Sequence, residues 1–207
     1  EIVAGFAEAI KHSIISGEVL FNQTNEFLRK FPLKSFRKSF VNQNADFVEN
    51  LQTLMAANVA FKAEIVKGDE LEDITRNDSR SRKILNFGHT VGHALETVTN
   101  YKRFKHGEAV ALGMSVAVEI SKNIGILSKN KVDLINEAVQ SLGIASNSND
   151  IETNQILAAF SHDKKAADSS FKWILLRDFG RVEIIDNKEI PVSLLREALH
   201  KVLQTRN

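Results

Sequence analysis

A chain of 207 residues, 43% of them hydrophobic, is long enough to bury the core of one folded domain. Its 27 lysines and arginines against 26 aspartates and glutamates leave a formal charge of +1, which excludes any general pull toward nucleic acid or an anionic membrane. It has no cysteine, so disulfides, thiolate metal sites and thiol nucleophiles are excluded together, leaving His, Asp and Glu as the strong metal ligands.

Apolar residues recur at helical spacing over long stretches, and only Pro32 and Pro191 interrupt the chain. The fold class this predicts is mainly α, a multi-helical single domain over 1–207. In chain order the spacing predicts helices over 3–21, 45–66, 82–99, 107–124, 130–142 and 151–161. A last helix is predicted from 191, where proline suits a first helical position. Val132, Ile135, Val139 and Leu142 form one apolar stripe, as do Val192, Leu195, Leu199, Val202 and Leu203, and both belong in a core. Between Phe171 and Ile185 two short β-rich runs flank Asp178-Phe-Gly-Arg, which predicts a small β-hairpin on the helical body. Thr75 to Ser81 and Ala145 to Asp150 read as surface loops. No apolar run approaches the roughly 20 residues of a bilayer span, and the start lacks a signal-peptide pattern, so the expected location is cytoplasmic. The chain opens at Glu1 on a segment that already reads as structured, and the expectation is a piece of a larger protein.

The densest signal is the string from Arg82 to Glu96. On a continuous helix Arg82, Asn86, His89, His93 and Glu96 recur at steps of four, three, four and three, which puts all five on one face. Gly88 and Gly92 fall inside the same predicted helix, where each costs about 1 kcal/mol relative to alanine. A close approach of backbone or ligand is the expected compensation. Two further elements place lone polar groups in apolar runs: Gly5-Phe-Ala-Glu8-Ala-Ile-Lys11, and a helix opening at His106. Each has an ordinary reading, a hydrogen-bonded face for the paired histidines, a salt bridge for Glu8 and solvent exposure for His106. A buried carboxylate or imidazole is costly unless paired or metal-bound, so convergence of Glu8, His89 and His106 on one divalent ion would resolve three awkward residues together. Two histidines and a carboxylate with open positions form a common catalytic zinc set.

These three strings, with Lys62-Ala-Glu-Ile-Val and Asp69-Glu-Leu-Glu72 ahead of the second and Asp163-Lys164-Lys165 beyond it, resemble the C-terminal domain of the 3-dehydroquinate synthases. Related sugar-phosphate cyclases share much of the pattern. The resemblance implies a two-domain enzyme in which an N-terminal NAD-binding domain, absent from this chain, precedes a helical metal-binding domain, with the site in the cleft between them. It implies Glu8, His89 and His106 as ligands of Zn2+ or Co2+, Lys11 as a substrate-binding base, and His93 and Glu72 as proton-handling residues. Lys62, Arg82, Asn86 and one lysine of the Asp163-Lys164-Lys165 string, Lys165 in preference to Lys164, match substrate contacts, a task suited to Lys and Arg donors facing phosphate and carboxylate. His12 and His200 match no site position and read as structural or solvent-facing. The implied reaction converts a small phosphorylated sugar acid to 3-dehydroquinate and phosphate in the shikimate pathway, and a homodimer is implied for the full-length enzyme.

One departure from the family pattern concerns the substrate arginine. Glu72 and Asn86 lie fourteen residues apart, more than the family allows. Arg76 keeps the spacing from Glu72 and Arg82 the spacing to Asn86; helix geometry favours Arg82. Two competing readings are a glycerol-type metal-dependent alcohol dehydrogenase, against which the Lys62, Arg82 and Lys165 set argues, and a non-catalytic helical module.

Overall fold

The computed structural model describes residues 1–144, 148–166 and 171–204, with the backbone alone over 161–166. Among these the chain forms nine α-helices: α1 (Ile2–Ser16), α2 (Glu18–Lys30), α3 (Phe36–Val41), α4 (Ala45–Gly68), α5 (His89–Val98), α6 (His106–Asn123), α7 (Lys129–Ser141), α8 (Thr153–Ala166) and α9 (Val192–Gln204). Strands β1 (Lys172–Asp178) and β2 (Arg181–Asp186) pair antiparallel, Trp173 opposite Ile185 and Leu176 opposite Val182. The mainly helical class and the hairpin are as the residue spacing predicts.

Every residue from Ala109 to Ser121 is buried, so α6 is covered on all sides, with Ser115, Glu119 and Ser121 as its polar exceptions. α5, α1, α9, α7 and β1 pack around it. The predicted stripes of α7 and α9 supply buried Val132, Ile135 and Val139, and Leu195, Leu199, Val202 and Leu203. A second cluster gathers Phe6, Phe27, Phe31, Phe36 and Phe40 around Phe47, with ring centroids 4.9 to 6.0 Å apart. None of the described helices is long and apolar enough to cross a membrane.

Two predicted helices are corrected. The first, 3–21, is two helices broken at Gly17, whose φ of 135° is a conformation that side chains rarely adopt. The break seats the hairpin turn: Gly180 N donates to Ile14 O at 2.9 Å, and Phe179 stacks on Phe21 at 4.2 Å. The chain then stays helical to Lys30 and again over α3, which the spacing argument did not foresee. The second correction concerns 82–99. Residues Arg82–Asn86 form a 3-10 turn, Gly88 adopts a left-handed φ of 79°, and the α-helix begins only at His89. Arg82 and Asn86 therefore do not share a helical face with His89, His93 and Glu96. Predicted α8 continues past 161 to Ala166, and residues 145–147 of the predicted 145–150 loop lie outside the described residues.

Candidate metal centre

Close backbone approaches decide which side chains meet. A Cβ on Gly107 would lie 2.3 Å from Ala4 Cα, a separation only glycine permits. α1 therefore lies against the start of α6, and Glu8, one turn beyond Ala4, comes to face His106. On the other flank, Gly113 of α6 packs against Gly88 and Gly92, so α5 rides on α6 with backbone nearly touching backbone. That is the close approach expected for the two glycines, although Gly88 precedes the helix rather than lying within it. Glu8, His89 and His106 each offer one ligand atom, and these atoms lie within 4.8 Å of one another.

The hydrogen bonds of the trio use one atom of each side chain. Lys11 Nζ donates to Glu8 Oε2 at 2.8 Å, while Glu8 Oε1 is buried, has no hydrogen-bond partner and lies 3.9 Å from His89 Nε2. His89 Nδ1 sits 3.3 Å from the Phe87 carbonyl and His106 Nδ1 sits 3.2 Å from Glu96 Oε1. Both partners accept, so a proton on Nδ1 of either ring has a place to go and the Nδ1–H tautomer would leave the Nε2 lone pair open. Burial, reinforced by the Lys11 charge, pushes His89 down to about 4, so it is neutral and ready to ligate. Burial alone would raise Glu8, but the charge and hydrogen bond of Lys11, with His89 and His12, outweigh it and hold the carboxyl below its ordinary value. Burial lowers the buried Lys11 ammonium despite Glu8, and the Lys62 charge adds to this. Two imidazoles and a carboxylate whose Oε1 is buried without a hydrogen-bond partner fit a divalent cation of the zinc type.

The remaining residues named from the sequence are partly gathered. His93 is exposed, with its ring 5.5 Å from that of His89 and 6.1 Å from that of His106. With Glu96 and His106 it forms a second set of potential ligands within 4.8 Å. Lys62 projects from the exposed side of α4 yet acts electrostatically on Lys11 and His12. Arg82 Nε lies 3.9 Å from Glu72 Oε2, so the long interval between them is closed in space. Arg76 instead binds the Gly68 carbonyl at 2.7 Å and Asp78, within its own loop. Buried Asp69 ties that loop shut by accepting from Arg82 N at 2.7 Å and Asp73 N at 2.9 Å. The side chain of Lys165 lies outside the described residues.

A cavity of about 300 Å³ opens beside the histidines, lined by Lys83, Asn86, His89, His93, Phe171 and Lys172 among others. Lys83 and Lys172 were not singled out from the sequence. Lys83 Nζ is held by the Ile74 carbonyl at 2.6 Å and the Arg76 carbonyl at 2.9 Å, so it clamps the 74–77 segment beside the cavity. Its place next to Arg82 was the only available signal. A larger groove of about 650 Å³ between α2 and α7 contains none of the polar constellation.

Of the two unassigned histidines, His200 is exposed and His12 is buried, with Nε2 unpartnered and 3.9 Å from Glu8 Oε2. Burial and the Lys11 charge hold His12 down at about 4, against 6.5 in an ordinary histidine. Between those values the unfolded chain binds a proton that the folded chain refuses, so metal-free protein should lose stability as pH falls from 6.5 to 4. His12 and His89 should each contribute on the order of 2 kcal/mol to that loss. Urea midpoints across this window should show a shallower decline for His12→Gln; an unchanged slope would refute the assignment.

The fold is that of a known class. Aligned on 2-epi-5-epi-valiolone synthase from Streptomyces hygroscopicus subsp. jinggangensis, solved with NAD+ and Zn2+, 99% of this chain superposes on 52% of that chain with a TM-score of 0.73 at 18% identity. On 2-deoxy-scyllo-inosose synthase, solved with carbaglucose-6-phosphate, NAD+ and Co2+, the values are 98% and 52%, with a TM-score of 0.66 at 20% identity. The fold is thus the C-terminal half of the two-domain cyclase fold. The sequence model of the 3-dehydroquinate synthase C-terminal domain matches residues 5–166, and the chain belongs to that family. The 3-dehydroquinate synthase of Ruminiclostridium cellulolyticum is 35% identical over 203 residues, covering 94% of this chain and 50% of the relative. That of Thermoanaerobacter pseudethanolicus is 33% identical over 190 residues, covering 91% and 48%. The chain spans about half the length of the curated relatives it matches.

Proposed function

We propose that this chain is the metal- and substrate-binding domain of a 3-dehydroquinate synthase, which converts 3-deoxy-D-arabino-heptulosonate 7-phosphate to 3-dehydroquinate and phosphate. The observation that carries the reading is the cluster of Glu8, His89 and His106, whose ligand atoms lie within 4.8 Å. Family membership and relatives of that name at 33% to 35% identity support the choice of substrate. The protein assigned this role is cytoplasmic, works in the shikimate pathway and is a homodimer when joined to its NAD-binding domain.

In this reading Glu8, His89 and His106 hold Zn2+ or Co2+. When bound, the metal would supply Lewis acidity toward a substrate hydroxyl, and NAD, held mainly by the other domain, would supply hydride-transfer chemistry. Lys11, already paired with Glu8, orients the substrate at the metal edge. Lys62, Arg82, Asn86 and Lys165 bind phosphate, carboxylate and hydroxyls. His93, exposed one turn from His89, moves the proton, and Glu72, which lies 3.9 Å from the substrate-binding Arg82, is the second proton-handling residue.

The 207-residue chain alone should release no phosphate from the sugar acid with NAD and zinc present, because hydride transfer needs the missing cofactor site. Co-expression with the NAD-binding half of a relative should restore release without net NADH. Phosphate release by the chain alone overturns the two-domain assignment. Net NADH formation in the restored enzyme points to an alcohol dehydrogenase, and turnover only on other sugar phosphates points to another cyclase.

A further inference from the structure

Glu96 has no role in the reading above, yet its position is unusual. It lies in the last full turn of α5 with a side chain only 9% exposed, and among the described residues no lysine or arginine is within ion-pairing distance of it. A carboxylate in that setting is unfavourable without a partner. The partner is His106, whose Nδ1 lies 3.2 Å from Glu96 Oε1. The chain is bent to make this meeting. Asn100 and Tyr101 take positive φ values of 52° and 57°, and Tyr101 N donates back to the Glu96 carbonyl at 2.8 Å. The turn so formed brings the start of α6 alongside the end of α5.

We propose that Glu96 is the positioning residue of the metal centre, holding His106 as the Nδ1–H tautomer so that Nε2 keeps its lone pair for the cation. The need for it follows from a difference between the two histidines. His89 is only 13% exposed and is fixed by packing as well as by the Phe87 carbonyl, whereas the His106 side chain is 51% exposed and has no comparable walls. A half-exposed imidazole left alone can rotate and can place its proton on either nitrogen. A carboxylate, which only accepts, removes both freedoms at once.

The inference rests on the metal-centre reading, and two measurements on the 207-residue chain keep their failures apart. In the metal-free protein, well above the ordinary histidine titration range, long-range nitrogen–proton correlations should report Nδ1–H at His106 in the parent and in Glu96→Gln. Glu96→Leu, which has no acceptor, should move the proton toward Nε2. Zinc affinity, measured by competition with a chromogenic chelator, should fall by about 10- to 100-fold in Glu96→Leu, with Glu96→Gln closer to the parent because its amide oxygen still accepts. A parental tautomer and parental affinity in Glu96→Leu overturn the proposal. Equal affinity losses in both variants with an unchanged tautomer also overturn it, by making Glu96 a ligand in the set with His93. If the parent binds no zinc while the tautomer still switches, the positioning holds and the metal reading fails.

Discussion

His89→Ala will abolish tight zinc and cobalt binding, lowering affinity by more than about 100-fold, while His93→Ala will leave the metal bound and slow turnover of the two-domain enzyme. The two rings lie one helical turn apart and only 5.5 Å from each other, so the contrast tests geometry rather than proximity. His89 belongs to the set with Glu8 and His106, in which Glu8 Oε1 is buried without a hydrogen-bond partner. His93 belongs to a competing set in which Glu96 is already bound to His106 and offers no orphaned oxygen. Removing one of three ligands deprives the ion of a bond and leaves a buried carboxylate less compensated, whereas removing an exposed neighbour does neither. Metal analysis after dialysis decides the matter. Equal loss in both variants would place the ion in the second set and displace Glu8 from the centre.

Gly113→Ala will destabilise the fold by about 3 kcal/mol or more, a fall of about 10 °C in Tm for a domain of this size. The added Cβ would lie 1.9 Å from the Gly88 carbonyl oxygen and 3.0 Å from Gly92 N. Those atoms are backbone and cannot rotate aside, so α5 must lift from α6. Because α5 begins at His89 and α6 at His106, the same displacement should weaken zinc binding. Gly5→Ala is the matched control. Nothing lies within 4 Å of its added Cβ, and alanine in α1 should stabilise by about 0.5 to 1 kcal/mol through propensity and unfolded-chain entropy. A Gly113→Ala protein that melts with the parent would refute the close α5–α6 contact.

Much of this was legible in the sequence because it is local. The absence of cysteine restricted the donors to His, Asp and Glu, the apolar spacing of α7 and α9 marked their buried faces, and β-rich runs around Gly180 marked the hairpin. The four-residue step from His89 to His93 and the three-residue step to Glu96 also survive, because those three residues do share α5. The step from Arg82 and Asn86 does not. Periodicity cannot register that Gly88 takes a left-handed conformation, since the choice is made by the α6 backbone pressing on it.

By itself, then, the sequence determined which side chains are available and which helical faces are apolar. The trio of Glu8, His89 and His106, expected from the sequence, has its ligand atoms within 4.8 Å of one another, while tertiary structure alone decided that Glu96 meets His106 and that Glu72 meets Arg82 across its long loop. The physical reason lies in glycines facing backbone from distant parts of the chain, Gly107 on Ala4, Gly113 on Gly88 and Gly180 on Gly17. Such contacts set the distance between elements to within an ångström, and no local pattern of hydrophobicity or charge encodes a partner that far along the chain.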